Sequence, residues 1–218
     1  MATSTAMTTQ FKQDLLQAKH CFNATITKTA SGVNGAFTLT GLANVTGLSV
    51  GMAASGTNVA AGAVIASIDS GTQVTLSKAH TGTITMATIT FTGDIFKIAL
   101  IKASPAGTYG AGSTNYSEIT GNSDETSGTG YTATGTALTN VTPTTSGTTA
   151  FTDFADVSWT SASFSCSAVM IYNTTQRGET AGRAVSTHDL GGTQTVTSGT
   201  FTLVFPTPDA SNAILRIA

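Results

Sequence analysis

The chain has 218 residues, of which 40% are hydrophobic and only 9% charged, and nine basic against eleven acidic side chains leave a net charge of −2. A balance so weak and mixed excludes the clustered basic face that nucleic acid demands, and no run approaches the roughly 18 apolar residues of a membrane span. With so few charges, the surface falls to Thr, Ser, Asn and 23 Gly, a composition that suits half-exposed strands and tight turns.

The length favours one compact body plus a smaller module. Low charge near neutrality protects poorly against self-association, so the surface reads as one meant to be covered by neighbours. The opening Met1-Ala2-Thr3-Ser4-Thr5-Ala6-Met7 has neither a basic nor an apolar leader region, and no secretory signal is expected. Residues 1–9 are small and polar, with no packing of their own predicted, and are expected to become ordered against a partner.

One helix is predicted near residues 9–22, where Phe11, Leu15, Ala18 and Phe22 form an apolar stripe and Thr8 or Thr9 serves as N-cap. From residue 24 to 93 apolar residues alternate with Thr or Ser between glycines, the texture of short strands and turns. Phe37 with Leu39, Val74 with Leu76, and Ile89 with Phe91 each place two apolar side chains on one face. Asp69-Ser70-Gly71-Thr72 is a hairpin connection.

Ile95-Phe96-Lys97-Ile98-Ala99-Leu100-Ile101 is the strongest apolar strand and is expected at the centre of a sheet. Residues 104–148 read as a long ordered surface excursion anchored by Tyr109, Tyr116, Ile119, Tyr131, Leu138 and Val141. Strands are then expected at 151–159, 163–172, 200–205 and 213–217. Phe164, Cys166, Ala168, Met170 and Tyr172 share a face of the second, and Phe201, Leu203 and Phe205 a face of the third.

No constellation predicts catalysis. Thr187-His188-Asp189 are contiguous, so on a strand they point alternately to opposite faces, and His188 reads as a strand-end or surface histidine. His20, Cys21, His80 and Cys166 lack the ligand spacing of a zinc site, and the two cysteines read as free, partly buried thiols. Gly107-Thr108-Tyr109-Gly110-Ala111-Gly112 lacks the Lys-Ser/Thr ending of a phosphate loop. Asp124, Glu125, Asp153 and Asp156 lack calcium-loop spacing and read as solvated acids, and Trp159 in a patterned strand reads as core. The sequons Asn44-Val45-Thr46 and Asn140-Val141-Thr142 are chance matches in a Thr-rich chain. The expectation is a non-enzymatic protein with no catalytic, metal or cofactor site.

Phe11-Lys12-Gln13-Asp14-Leu15-Leu16-Gln17 followed by Ile95-Phe96-Lys97-Ile98-Ala99-Leu100 resembles the "FK.ELL.G.H.F" and "DTFKIALYTS" segments of a family of small tailed-phage virion proteins. Ser127-Gly128-Thr129-Gly130-Tyr131-Thr132-Ala133 is similar to its "SGTGYTAGG", Phe154-Ala155-Asp156-Val157-Ser158-Trp159 to "F.DVTW" and Ala168-Val169-Met170-Ile171-Tyr172-Asn173 to "ARGALIYN". Gly199-Thr200-Phe201-Thr202-Leu203-Val204-Phe205-Pro206 is similar to "GDFTIQFP", and the ending Asn212-Ala213-Ile214-Leu215-Arg216-Ile217 fits as well. The resemblance covers residues 9–23 and 94–218. Residues 24–93 intervene, and with Leu48-Ser49-Val50-Gly51-Met52, residues 61–69 and Thr72-Gln73-Val74-Thr75-Leu76-Ser77 they resemble a β-rich module of phage structural and fibre proteins.

The expected architecture is therefore mainly β. It is an antiparallel β-sandwich or barrel with one N-terminal helix, in which residues 1–23 give arm and helix, 24–93 an inserted small β module and 94–218 the main domain. The resemblance implies a capsid decoration or cement protein of the virion, assembled in the host bacterial cytoplasm. Its partners would be the major capsid protein and itself, as a homotrimer, with neither nucleic acid nor membrane and with the insert projecting as a knob. The alternative it leaves is a tail or head-fibre component with an attachment or glycan-contacting surface. A third class, a glycan-binding or glycan-degrading module, would need an aromatic or acidic groove.

Overall fold

The computed structural model describes residues 3–175 and 181–218. The chain is mainly β, with antiparallel sheets and a short N-terminal helix. Its elements in order are β1 (Ala6–Met7), α1 (Thr9–Leu16), β2 (Ile26–Gly32), β3 (Thr38–Leu39), β4 (Ala53–Ser55), β5 (Ala63–Ser70), β6 (Gln73–Leu76) and β7 (Ile84–Thr92). There follow β8 (Phe96–Lys102), α2 (Ser117–Gly121), β9 (Thr136–Ala137), β10 (Thr144–Ser146), β11 (Thr149–Thr152), β12 (Val157–Asn173), β13 (Arg183–Leu203) and β14 (Leu215–Ile217). They form two compact units, one of Met1–His20, Ile95–Thr139 and Thr144–Ala218, the other of Cys21–Asp94 and Asn140–Pro143.

The second unit is a six-stranded sheet in the order β2-β7-β4-β5-β6-β3. Its two outer strands also meet, because Ser31 and Thr40 exchange backbone hydrogen bonds of 2.8 Å in each direction, which closes the sheet into a small barrel. Inside lie Leu39, Met52, Ile65, Val74, Leu76, Ile89 and Phe91, all essentially without exposure. Truncating such a side chain, Phe91 for instance, costs about 3–5 kcal/mol. The turn between β5 and β6 falls on Gly71-Thr72, and Asp69 braces it by accepting from the Ser67 and Thr75 hydroxyls at 2.6 and 2.7 Å. Phe37 departs from its expected inward face and is 48% exposed, since β3 is only two residues long and its alternation begins one residue later. His80 is buried beside β2, its Nε2 3.0 Å from the Thr38 carbonyl, and a Cβ at Gly32 would stand 2.7 Å from its ring. Glycine is needed there for close approach.

The first unit is sandwich-like. A five-stranded sheet, β1-β13-β12-β8-β9, accompanies a three-stranded one, β10-β11-β14. Phe154, just after β11, joins them by packing on Phe96 of β8 and on Phe205, with ring centroids 5.5 and 5.9 Å apart. β8 is an interior strand, as expected of the 95–101 run, lying between β12, which occupies the middle of the large sheet, and the two-residue β9. Ile95 falls outside β8 and is 51% exposed.

Several expected elements are redrawn. The expected strand 151–159 is two strands, β11 and the start of β12, separated at residues 153–156. The expected 200–205 strand is the end of β13, whose earlier part went unread because its Thr, Gln and Gly residues carry little apolar alternation. A bulge between Cys166 and Ala168 breaks the supposed common face of β12. Ala168, Met170 and Tyr172 enter one core with Ile101, Tyr109 and Ile119, while Phe164 packs edge-on against Trp159 and Phe201. The long excursion is ordered as expected, but it contains the additional helix α2.

The N-terminal helix is shorter than 9–22. Thr8 caps it, its hydroxyl accepting from the Phe11 N–H at 3.1 Å and donating to the Ala184 carbonyl at 2.9 Å. It ends at Leu16, and Ala18 takes a left-handed φ of 55°. The stripe holds only in part: Phe11 is buried and Leu15 half-buried, but Ala18 lies beyond the helix and is exposed, and Asp14 is buried where no apolar residue stands. Asp14 dictates this. Its carboxylate faces Arg183 Nε at 3.3 Å, His20 Nε2 at 3.7 Å and Lys19 Nζ at 3.9 Å, and the chain must leave the helix to bring His20 back to it. The N-terminal segment is likewise packed in its described part, residues 3–8. Thr3 is buried, the Ser4 N–H donates to the Tyr109 carbonyl, and β1 pairs with Ser186 and Thr187 of β13. Residues 1 and 2 of the expected arm lie outside the described residues.

The base of the second unit is closed by its own ends: the Asp94 N–H donates to the Cys21 carbonyl at 2.8 Å, and the Cys21 N–H to the Asp94 carboxylate at 3.0 Å. Asn140 adds a bond from its amide to the Asp94 carbonyl at 2.9 Å. Replacing Cys21–Asp94 by a short Gly-Ser linker should leave a soluble β protein that unfolds cooperatively by circular dichroism and tryptophan fluorescence. Loss of cooperative unfolding in that variant would mean that the remaining unit depends on the excised one.

Candidate functional site

Each residue weighed for chemistry has a definite place. Thr187, His188 and Asp189 lie within β13, not at its end. Thr187 is buried and its hydroxyl donates to the Ser4 carbonyl at 2.7 Å, while Asp189 is exposed and accepts the Gly191 N–H at 3.0 Å. His188 is half-buried, and burial lowers its pKa to about 4, so it is neutral at pH 7. Its Nε2 stands 2.9 Å from Ser186 Oγ, a Ser-X-His pair on one strand face that period-two reading could have found. Ser186 has no exposure, so this is an internal hydrogen bond closed to any substrate.

The nitrogen and sulfur candidates do not assemble. His20 and Cys166 belong to one unit, Cys21 and His80 to the other, and no group of three His, Cys, Asp or Glu side chains is placed to share a metal among the described residues. His20 is held by Asn173, with Nδ1 to Nδ2 at 2.8 Å, and by Phe11, whose ring lies 5.0 Å away. Both thiols are free and buried, and burial pushes Cys166 up to about 11. Trp159 is core, 4% exposed among Phe164, Phe201 and Tyr131. Asp153 is buried, which raises its pKa, and accepts the Phe154 N–H at 2.8 Å, while Asp156 accepts the Phe205 N–H at 2.8 Å. Each ties a chain crossing.

The glycine loop at 107–112 does cradle an anion, but one supplied by the chain. Asp124 has no exposure and accepts from the Ala106 and Gly107 N–H groups at 2.8 and 2.7 Å, from the Tyr109 hydroxyl at 2.7 Å and from Lys102 Nζ at 2.9 Å. Burial works to raise its pKa, yet the bonds from Tyr109, Ala106, Gly107 and Lys102 outweigh it and hold the carboxyl far below the ordinary 3.8. Tyr109 in turn is pushed up to about 12, by burial first and by its bond to Asp124 second.

Glu125 organises a second clasp. It accepts from the Tyr116 hydroxyl at 2.5 Å, the Tyr131 hydroxyl at 2.7 Å and the Thr134 N–H at 2.8 Å. Tyr116 stacks on Tyr172 at 4.4 Å, and Tyr172 donates to the Thr134 carbonyl. Burial, then the Glu125 bond, raises the pKa of Tyr116 and Tyr131, and burial raises Tyr172 to about 12, so all three hydroxyls stay protonated donors. Asp124 and Glu125, expected as solvated acids, are thus the hubs that order the long excursion.

Among the described residues the surface also carries grooves, one of about 220 Å³ beside the exposed Asp189 with Thr3, Pro105 and Ser167. An apolar groove of about 390 Å³ is lined by Met7, Lys12, Leu15, Leu16, Arg216 and Ile217 in the first unit. A second, of about 340 Å³, lies at the seam of the barrel among Ser31, Val33, Thr38, Thr40, Thr83 and Ile84. Neither of these two is lined by an aromatic ring or an acidic side chain. No protein-family model, no curated protein and no solved structure matches the chain.

Asp124→Asn should cost about 3 kcal/mol, because the buried donors lose the charge they are arranged around. The sign with pH follows from the depressed value. The stabilisation is complete above the ordinary carboxylate pKa of 3.8, falls away as pH drops below it and ends below the folded value. Urea unfolding from about pH 7 to about pH 2.5 should therefore show the gap between wild type and variant narrowing only on the acid side.

Proposed function

We propose that the chain is a structural protein of a tailed-phage particle that coats the head shell as a decoration protein, contacting the major capsid protein and other copies of itself. The observation that carries this reading is the ordered set of family-like segments together with their place in the fold. The 11–17, 95–100, 127–133, 154–159, 168–173 and 199–206 segments all fall in one unit, and the intervening 24–93 stretch falls in the other. A common body carrying an added barrel is the organisation expected of a shell protein with an outward knob. The Ser127-Gly128-Thr129-Gly130 segment also has a physical reason: a Cβ at Gly128 would stand 2.3 Å from the Ser163 carbonyl, so the loop lies flat on β12 and pairs Thr129 with Ser163.

A non-enzymatic role accords with the way Asp124, Glu125, Asp14 and His188 are each engaged by the protein itself. The charge-poor surface suits broad, wet contacts repeated around a symmetric partner, expected as a trimer at a shell site. The fibre alternative would use the barrel groove for a glycan, but that groove offers no aromatic stacking platform.

Copy number in purified particles separates the two. Hundreds of copies distributed over the head, with added protein sedimenting on assembled shells and raising their thermal stability, is the expected result. A few copies confined to the tail, with no affinity for shells, would replace the decoration reading with the fibre one.

A further inference from the structure

Sheet edges in this protein are closed, short or charged, with one exception among the described residues. The barrel closes on itself through Ser31 and Thr40, and its β2 carries Lys28. β1, β3, β9, β10 and β14 are two or three residues long, and the free side of β12 is covered where Thr129 pairs with Ser163. These are the usual devices against edge-to-edge pairing. β13 lacks them beyond its beginning. Its outer side is covered at Ser186 and Thr187 by β1 and at Asp189 by the Thr5 hydroxyl; residues 190–193 leave the ladder with β12, and residues 194–203 have no strand on the outer side. The stretch Leu190-Gly191-Gly192-Thr193-Gln194-Thr195-Val196-Thr197-Ser198-Gly199-Thr200-Phe201-Thr202-Leu203 contains no charged residue and no proline.

We propose that this edge is an interface between two copies of the chain, their β13 strands pairing antiparallel about a two-fold axis to continue the sheet from one copy into the other. Three observations favour a second copy as occupant. With no charge along the strand, a copy meets no like-charge neighbour across the seam, and a net charge of −2 on the whole chain adds little repulsion. The exposed face already pairs by hydroxyls within one chain, Ser158 with Thr202 and Ser165 with Thr195, both at 2.8 Å. A two-fold axis sets Thr195, Thr200 and Thr202 beside the same row of the partner, extending that ladder, and aligns the half-buried Val196, Phe201 and Leu203 on the opposite face. The bulge at Ser198, with a φ of 49°, divides the edge into two segments and so fixes the register instead of leaving it free to slip. An isologous contact of this kind closes at two and does not propagate into a fibre. It does not depend on shell binding, and a trimer formed elsewhere on the surface would join through it into an even-numbered assembly.

The test uses the full chain. Analytical ultracentrifugation should show a dimer or another even-numbered species. Amide exchange should show protection in residues 193–203 that rises with protein concentration while the rest of β13 is unchanged. Thr195→Lys/Thr200→Lys, with an unaltered circular dichroism spectrum, should weaken association at least about tenfold and abolish that protection. If the double variant fails to fold, the wild-type exchange measurement decides alone. A chain that is monomeric up to about 1 mM, or an odd-numbered assembly whose residues 193–203 exchange at a concentration-independent rate, would overturn the two-fold contact. Either result leaves the decoration reading to its own test on shells.

Discussion

The larger unit hangs on the ladder between β12 and β13. It begins at Asn173 with Arg183 and ends at Val157 with Leu203, and much of the unit is placed by its two flanks. β8 adds to β12 through the half nearest Asn173, the N-terminal segment adds to β13 opposite, and the loop with Thr129 lies on β12 farther down. Four register shifts interrupt the ladder, between Trp159 and Ala162, Ala162 and Phe164, Cys166 and Ala168, and Ile171 and Tyr172. Each adds local twist and re-aims the side chains that follow. Hence one continuous pair of strands serves two cores, the Met170-Tyr109-Ile119 group at one end and the Trp159-Phe164-Phe201 group at the other.

Scarcity of charge gives the few carboxylates unusual weight. Asp14 fastens α1 to β13 through Arg183, Asp124 draws the 106–109 loop inward, and Glu125 gathers Tyr116, Tyr131 and Thr134. A buried carboxylate survives only when it is compensated: backbone N–H groups and tyrosine hydroxyls do this for Asp124 and Glu125, while the Gln10 amide, Lys19 and Arg183 face Asp14. Such networks penalise alternative packings more than they add net stability, which suits long Thr- and Gly-rich segments with little apolar content to hold them in one conformation. Order in residues 104–139 is therefore electrostatic in origin as much as hydrophobic.

The surface that results is hydroxyl-rich and weakly charged. Asp124, Ser186 and both thiols are buried, while threonine rows and two apolar grooves face outward. Surfaces of this kind gain affinity by repetition of modest contacts and by backbone pairing at open edges, not by deep pockets or electrostatic steering.

Period and punctuation were legible in the amino-acid order alone. Val74 with Leu76 and Ile89 with Phe91 face inward as alternation requires, Gly71 sits in its turn, Thr8 caps the helix, and the mainly antiparallel β class follows from Thr, Gly and short apolar runs. These are local properties, written within a few residues of where they act. What only the tertiary structure decided depends on partners far along the chain. Helix α1 stops where Asp14 meets His20 and Arg183, the glycine loop closes on Asp124, and the Thr- and Gly-rich middle of β13 becomes a strand because β12 lies beside it. None of the three has a local signal, since a polar side chain announces that it needs a partner but not which remote segment will supply one.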